Sequence, residues 1–406
     1  MYNIQQAGLD ILRQSNQVIY VKLELLNQQF QIIDELQGEM IDGSHSIDSE
    51  SDIRTTANIS FVVKDSTYLV GSDRKIWLDK YVRLYIGVLY QRSQEILWYP
   101  MGTFLFNENS YSYDSTSRTL SVNLLDLMCK LTGIRNGQVK GLLHTIPSGS
   151  DIRGSMIAIL SEGGEFYNYI IDDIGKTVPY DLEFSASTTV YEMIKKIRDL
   201  YPAWETYFDD ITFICKEIPM CIDDNIVLDA EIIAPLVKSE NLSNTFEKVK
   251  NVTDIWGKCI EGYQVHAIVK EYSIEPTILE KENDIIYESC TNIKYVINPD
   301  SPYGVDKIGE IRQVLSGGEY ENIHTDELCL LRAEYENWRT TRLQDTISLE
   351  TMMIPWLGVN QKIEYKSKIT NVTEQYITKS INRSLSDWTQ TIDMIKFYPL
   401  YPFIVE

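Results

Sequence analysis

The chain has 406 residues, 44% of them hydrophobic and 24% charged, which is enough length for several domains, each with its own core. With 37 basic against 59 acidic residues the formal net charge is −22, which argues against a surface built to grip nucleic acid or anionic lipid, since both require clustered cations. No stretch approaches the ~18 apolar residues of a membrane span, and the start, MYNIQQAGLDILRQSNQ, lacks the basic segment and apolar run of a signal peptide.

The first predicted elements are strands. Residues 18–26 (VIYVKLELL) and 56–64 (TANISFVVK) alternate well enough for half-buried strands. Between them, residues 41–54 (IDGSHSIDSESDIR) are polar, acidic and too long for a tight hairpin turn, and they read as a contact-making arm. Its Asp, Ser and His letters are not a catalytic triad, whose members the fold brings together from separate segments and whose chemistry needs an oxyanion hole. Asp42-Gly43-Ser44 does not fit a calcium loop either. Strands continue at 81–88, then a Trp98-Tyr99-Pro100-Met101-Gly102 stretch leads into 103–106. A hairpin of 111–113 and 119–125 turns at DSTS, 114–117. Repeated short strands with polar turns predict an antiparallel barrel or sandwich.

Composition then shifts. A short helix is expected over 152–160, stopped by Gly163-Gly164, and a stronger one over 188–200. Thr189 and Glu192 have capping-box spacing, Val190, Met193, Ile194, Ile197 and Tyr201 share one face, and Pro202 ends the helix. A hairpin of 204–208 and 211–215 about Asp209-Asp210 completes a small α+β unit. Strands return at 248–257 and 265–269. A turn-rich stretch (NPDSPYGVDKIGEI) and an LSGG loop lead to a helix from Asp326 to Trp338, capped by Thr325, with Leu328, Leu331, Tyr335 and Trp338 as its expected buried stripe. Strands at 346–352, 361–365, 376–383 and 389–396 close the chain, with a turn at Ile354-Pro355-Trp356-Leu357-Gly358. The two β-regions rhyme: each has a Trp-Pro-Gly turn, a Tyr-bearing strand, a polar break and a strand ending in an apolar run, as an internal duplication would leave.

The letters LSGGE, Leu315 to Glu319, nearly spell the phosphate-gripping signature of ABC-type ATPases. The Gly175-Lys176-Thr177 triplet has Ile170 where a phosphate loop needs glycine, and Asp172 and Asp173 would repel phosphate, so LSGGE reads as a loop before a helix. His45, His144, His266 and His324 form no metal-binding spacing, and no GxSxG elbow occurs. Acid pairs at 172–173, 209–210 and 223–224 read as turns, while a glycosidase carboxylate pair is decided in space and stays open. Six cysteines show no zinc-like spacing; the closest, Cys215 and Cys221, have five residues between, and all six read as free thiols in a reducing compartment. No catalytic, cofactor-binding or metal residue is expected.

Four stretches carry a family resemblance: ELQGEMIDGSHSIDSESDIRTTANISFVVKD, GTFLFNENSYSYDSTSRTLSVNLLDLMCKLTGIRNG, SPYGVDKIGEIRQVLSGGEYENIHTDELCLLRAEYENW and MIPWLGVNQKIEY. In order and spacing the chain resembles the baseplate hub proteins of phages and phage-tail-like particles of Gram-positive bacteria. The resemblance implies a mainly β, α+β protein with two tail-tube-like antiparallel β-barrel domains and small α+β inserts. The corresponding division is 1–150 for the first barrel with its arm 41–54, 151–225 for the small α+β domain, 226–285 with 345–406 for the second barrel, and 286–344 for a helical insert. It further implies a homotrimeric symmetry adaptor in the virion tail baseplate, assembled in the host cytoplasm. Its partners would be a six-fold tail tube or distal tube ring, a three-fold spike or fibre, and other baseplate proteins, with DNA passing through the bore. The arm would contact the neighbouring ring through Asp42, Ser44, His45, Asp48, Glu50 and Asp52. The chain departs from relatives that append a lytic domain, ending at Glu406 soon after its last strand. The 26 tyrosines leave a receptor- or carbohydrate-binding tail protein as an alternative, and the acid pairs a tail-associated cell-wall hydrolase.

Overall fold

Alternating sequences make the framework. In the computed structural model, which describes residues 6–399 except 15, 36–39, 64–65, 116, 140–142, 202, 221–223 and 319, strands dominate. The expected helix stop at Pro202, and Lys64, Thr116, Cys221, Asp223 and Glu319, lie outside the described residues. After a first helix, α1 (Gln6–Leu12), come β1 (Ile19–Leu26), β2 (Ile32–Glu35), β3 (Met40–Asp48), β4 (Thr55–Val62), β5 (Tyr81–Tyr90), β6 (Glu95–Tyr113) and β7 (Arg118–Asp126). In β4 the pattern buries Ala57, Ile59 and Phe61 and turns Asn58 outward, so one face joins a core with Leu84, Ile86, Phe104, Leu120 and Val122.

The small α+β unit follows with β8 (Leu143–Ile146), α2 (Ile152–Ala158), β9 (Tyr169–Ile171), β10 (Leu182–Ser185), α3 (Val190–Arg198), β11 (Trp204–Asp209) and β12 (Thr212–Glu217). The capping box of α3 is formed: the Glu192 amide donates to Thr189 Oγ1 at 3.2 Å, and the Thr189 amide donates to Glu192 Oε2 at 2.6 Å. Val190, Met193, Ile194 and Ile197 are buried as expected, and Tyr191 with them.

The chain continues through β13 (Ile226–Leu228), α4 (Ala230–Ile233) and β14 (Val237–Thr245) into an insert. The insert holds β15 (Val252–Ile260), β16 (Tyr263–Tyr272), α5 (Ile278–Glu288), β17 (Ile293–Ile297), α6 (Val305–Ile308), β18 (Arg312–Ser316) and α7 (Asp326–Thr340). Its four strands form a sheet in the order β17-β16-β15-β18, so β15 and β16, expected in the second barrel, belong to the insert. Strands β19 (Gln344–Met352), β20 (Lys362–Lys366), β21 (Thr373–Ser384) and β22 (Thr389–Lys396) return to the framework.

Thirteen strands form one sheet, ordered β14-β19-β22-β21-β3-β4-β7-β6-β5-β1-β2, with β20 on β21 and β13 on β20. The sheet is open, so the two expected barrels are two halves of one sheet, each over a separate core. The halves repeat one topology: β3-β4-β7-β6-β5 in the first matches β14-β19-β22-β21-β20 in the second. Irregularities recur at matching places, between Phe106 and Glu108 in β6 as between Thr378 and Ser380 in β21, and between Met40 and Asp42 in β3 as between Val237 and Ser239 in β14.

Residues 41–54 are not an arm. Residues 40–48 are β3, paired with β4 on one side and β21 on the other, and they are the seam that joins the halves. The strand hides in the sequence because its outward set is Asp and Ser, while the inward set contains Gly43, His45 and Ile47. Only the turn between β3 and β4 carries the loop character expected of the whole stretch.

Candidate functional surface

The outward side of the framework is a continuous polar face, and the register aligns it in rows. One row runs Ser239, Glu350, Thr391, Asn382, Ser46 and Thr56 across six strands. Another runs Ser384, Ser44, Asn58, Asn123 and Glu108. A third runs Asp42, Ser60, Ser121 and Ser110. Neighbours in the rows bond directly: Ser46 Oγ donates to Asn382 Oδ1 at 2.6 Å, Ser239 Oγ to Glu350 Oε2 at 3.1 Å, and the Ser60 and Ser121 hydroxyls lie 2.8 Å apart. The charged residues in these rows, Asp42, Glu108 and Glu350, are all acidic. An outward sheet face is ordinarily dressed with long charged side chains of both signs, and here it carries short hydroxyls, amides and carboxylates. Where the halves meet, the face dips into a groove of about 610 Å³ lined by Asp42, Ser44, Asn58, Asn382 and Ser384.

The sequence-predicted contact residues separate into three places. Asp42, Ser44 and Asp48 are exposed on the polar face. Glu50 and Asp52 lie in the β3–β4 turn, and Asp52 accepts from Lys195 Nζ of α3 at 2.9 Å, so one carboxylate expected to seek a neighbouring ring is already bound within the chain. His45 is fully buried and cannot be a contact residue. Its Nε2 lies 3.1 Å from the Met101 carbonyl oxygen and its Nδ1 3.1 Å from Arg383 Nη1. Burial, reinforced by the guanidinium, pushes its pKa down to about 3, so the imidazole is neutral. The partners then fix the tautomer: Nε2 donates to Met101 and Nδ1 accepts from Arg383.

Sequence reasoning missed most of the face, including Asn382, Ser348, Asp393 and Ser239. The usable signal was the choice of Ser, Thr and Asn at alternate positions of strands such as TANISF, LSVNLL and TISLE.

Residues 315–318 of LSGGE are a strand end and a turn. Leu315 and Ser316 finish β18, paired to Ile255 and Trp256, and Gly317 and Gly318 take φ of 75° and 53°, the left-handed region that favours glycine. One trio has catalytic letters: His266 Nε2 lies 2.6 Å from Asp254 Oδ1, with Cys290 nearby. Burial opposes charge on His266, but Asp254 and Cys290 outweigh it and raise its pKa to about 9. The Cys290 thiol is itself buried and donates to the His266 carbonyl oxygen at 3.7 Å, and Trp256 stacks on the imidazole at 3.7 Å, so the trio is core packing. Among the described residues no group of three or more His, Cys, Asp or Glu could hold a metal ion. The described cysteines are free, with Cys259 exposed and the other four buried. No helix of the described residues is long and apolar enough to cross a membrane.

A family model described as a domain of unknown function (DUF5048) matches residues 300–401. Comparison with curated proteins finds no match. Among solved structures, the chain is similar to the 43 kDa tail protein of prophage MuSo2 from Shewanella oneidensis, at 11% identity and a TM-score of 0.60, over 93% of this chain and 98% of that one. It is also similar to the tail protein from Neisseria meningitidis MC58, at 10% identity and a TM-score of 0.58, over 93% and 96% of the two chains. Prophage tail protein gp18 from Listeria monocytogenes EGD-e follows at 9% and 0.53, over 92% and 94%. What is shared at such identities is the fold, and it is shared nearly end to end. The chain has a phage tail-protein fold.

Proposed function

We propose that this protein is a structural component of a phage or phage-like tail baseplate: a hub whose copies join edge to edge into a ring around the DNA channel. The observation that carries the reading is the seam inside the chain. There β3, first strand of the first half, pairs with the outer part of β21 in the second half, Asn382 opposite Ser46 and Ser384 opposite Ser44. Among the described residues, the repeat leaves the equivalents of both strands as free edges: β14, which matches β3, and the distal part of β6, which matches β21. Unpaired strand edges of this length template pairing with another chain. Carrying the seam's register across the repeat puts Ser110 of one copy opposite Ser243 of the next, and Ser112 opposite Asn241. A head-to-tail contact of this kind closes into a ring when the rotation permits. In the trimer implied by the family resemblance, six similar halves would face a six-fold tube on one side and a three-fold spike or fibre on the other.

The polar face would line the bore, with Asp42, Ser44 and Asp48 in its wall. Phosphates passing these rows of hydroxyls, amides and carboxylates meet no exposed cation among the described residues of the rows, so DNA slides. The role is structural rather than catalytic.

The test is a cross-link. In the internal seam the Ser46 and Asn382 side chains touch at 2.6 Å, so cysteines at the matching positions should fall within disulfide reach. Oxidised Ser110→Cys/Ser243→Cys protein should run as covalent rings and linear multimers on a non-reducing gel, while each single variant stays a single chain. Native mass measurement should give a trimer. A monomer by mass, with no cross-link from the double variant, would remove the ring.

A further inference from the structure

The small α+β unit and the insert face each other across a cleft of about 1120 Å³. Helix α3 supplies one wall with Lys195, Lys196 and Arg198, and α7 supplies the other with Arg332 and Arg339. Arg54 and Lys379 come from the framework beneath. These seven cations meet five lining carboxylates, the reverse of a chain whose net charge is −22. Most of the cations are engaged. Lys195 pairs with Asp52 at 2.9 Å, Arg198 with Asp199 at 2.7 Å, Arg54 with Glu205 at 2.7 Å, and Arg332 and Arg339 with Glu336 at 3.1 and 2.6 Å.

Two are not. Lys379 Nζ donates to the side-chain oxygen of Asn360 at 3.5 Å, and burial pulls its pKa down against the attraction of Glu50 and Glu205. Lys196 Nζ lies over the Phe184 ring at 5.2 Å, and burial together with Lys258 pulls its pKa down as well. Neither has a carboxylate within ion-pair distance among the described residues. The walls between are aromatic, with Tyr180, Tyr191, Tyr201, Trp204 and Tyr335. Tyrosine, tryptophan and arginine around a concave surface are the composition of protein-binding hot spots, and the volume exceeds that of an ordinary small-molecule pocket.

We propose that this cleft receives an acidic, aromatic-bearing segment of another protein, its carboxylates meeting Lys196 and Lys379. Charge complementarity selects the partner class. A nucleic acid or other polyphosphate is uniformly negative and would meet Glu50, Glu192 and Glu205 as well as the cations. A peptide can place amides beside those acids and carboxylates beside the lysines. The site does not depend on the ring: it lies within one copy.

The test uses the full chain and a fluorescein-labelled peptide of about ten residues alternating glutamate with tyrosine and alanine, followed by anisotropy. Binding is expected, weakened by added salt and by at least about tenfold in Lys196→Gln/Lys379→Gln, with the exposed Lys238→Gln as an unchanged control. Arg339→Gln at the exposed rim should weaken it less, and it provides a second reading should the double variant lose its melting transition. No binding at about 1 mM peptide, equal binding by the cleft variants and the control, or tighter binding of an oligothymidylate of about ten nucleotides would each overturn the proposal.

Discussion

His45 stands where the two halves meet, and its burial has a measurable consequence. The folded-state pKa is about 3 against about 6.5 for an exposed imidazole. Between those values the unfolded chain binds a proton that the folded one refuses, so stability is intact above pH 6.5 and falls as pH drops towards 3. The slope for one such group is about 1.4 kcal/mol per pH unit. Asp126 acts in the opposite sense. Burial raises its pKa to about 6, although the Thr55 and Met128 amides donate to it, so its contribution is complete below about pH 4 and lost as pH rises through 6. His45→Gln, which can still donate to Met101 and accept from Arg383, should flatten the decline in melting temperature between pH 6.5 and 4. An unchanged pH profile in that variant would mean that the imidazole is protonated in the folded protein.

At the level of elements, α7 corrects the expected stripe. The residues it buries are Cys329, Ala333, Glu334, Glu336, Asn337 and Thr340, whereas Leu328, Leu331, Tyr335 and Trp338 are only half-buried. The helix packs on β15 and β16, with Cys329 and Ala333 set among Ile255, Val265, Ala267 and Val269. Trp338 lies to the side, its Nε1 donating to the Pro399 carbonyl oxygen at 3.1 Å and its ring under the Arg342 guanidinium. Ala333→Leu should therefore destabilise the insert by about 1–3 kcal/mol through overpacking. Trp338→Ala should cost less than the ~3–5 kcal/mol of a fully buried tryptophan. Urea unfolding read by tryptophan-independent circular dichroism would measure both, and a Trp338→Ala loss of about 3–5 kcal/mol would restore the original stripe. Helix α5 gives the contrasting case. None of its residues is buried, and Ile278, Leu279, Ile286 and Tyr287 are exposed, so Ile286→Ala should move stability by no more than about 0.5 kcal/mol in the isolated chain.

Across the whole molecule, one cluster ties three units together. Arg54, between β3 and β4 of the first half, donates to Glu205 of the small unit at 2.7 Å and to the Val359 carbonyl oxygen at 3.3 Å, while Asn360 Nδ2 donates to the same Glu205 oxygen at 2.5 Å. The Arg54 guanidinium also lies over the Tyr207 ring at 3.9 Å. Arg54→Ala would leave the buried Glu205 with Lys216, 3.4 Å from its other oxygen, so it should cost less than the about 3–5 kcal/mol of a fully stranded charge, and adding Glu205→Gln should recover part of it. If the double variant is no better than the single one, the pair is not coupled. Replacing residues 43–51 with a Gly-Ser linker, which an arm would tolerate, should instead separate the halves, because β3 is their only shared strand pairing among the described residues. Limited proteolysis would then release two fragments where the wild type resists cleavage.

The sequence by itself determined the local alternations and caps. The strands 19–26, 55–62 and 118–126, the capping box at Thr189 and Glu192, and the left-handed glycines of LSGG follow from periodicity and backbone sterics within a few residues. The repeat was faintly legible for the same reason, since both halves use the same local devices. Tertiary structure decided what each polar residue means. Asp42 and His45 belong to the same polar stretch, yet one lines an open face and the other is buried against Arg383, because a strand paired on both sides sends alternate residues to opposite environments. It also decided that Lys196, Arg332 and Lys379, distant in sequence, share one cleft in an acidic chain. Charge sums are fixed by composition, but local fields depend on which side chains the fold brings within a Debye length of one another.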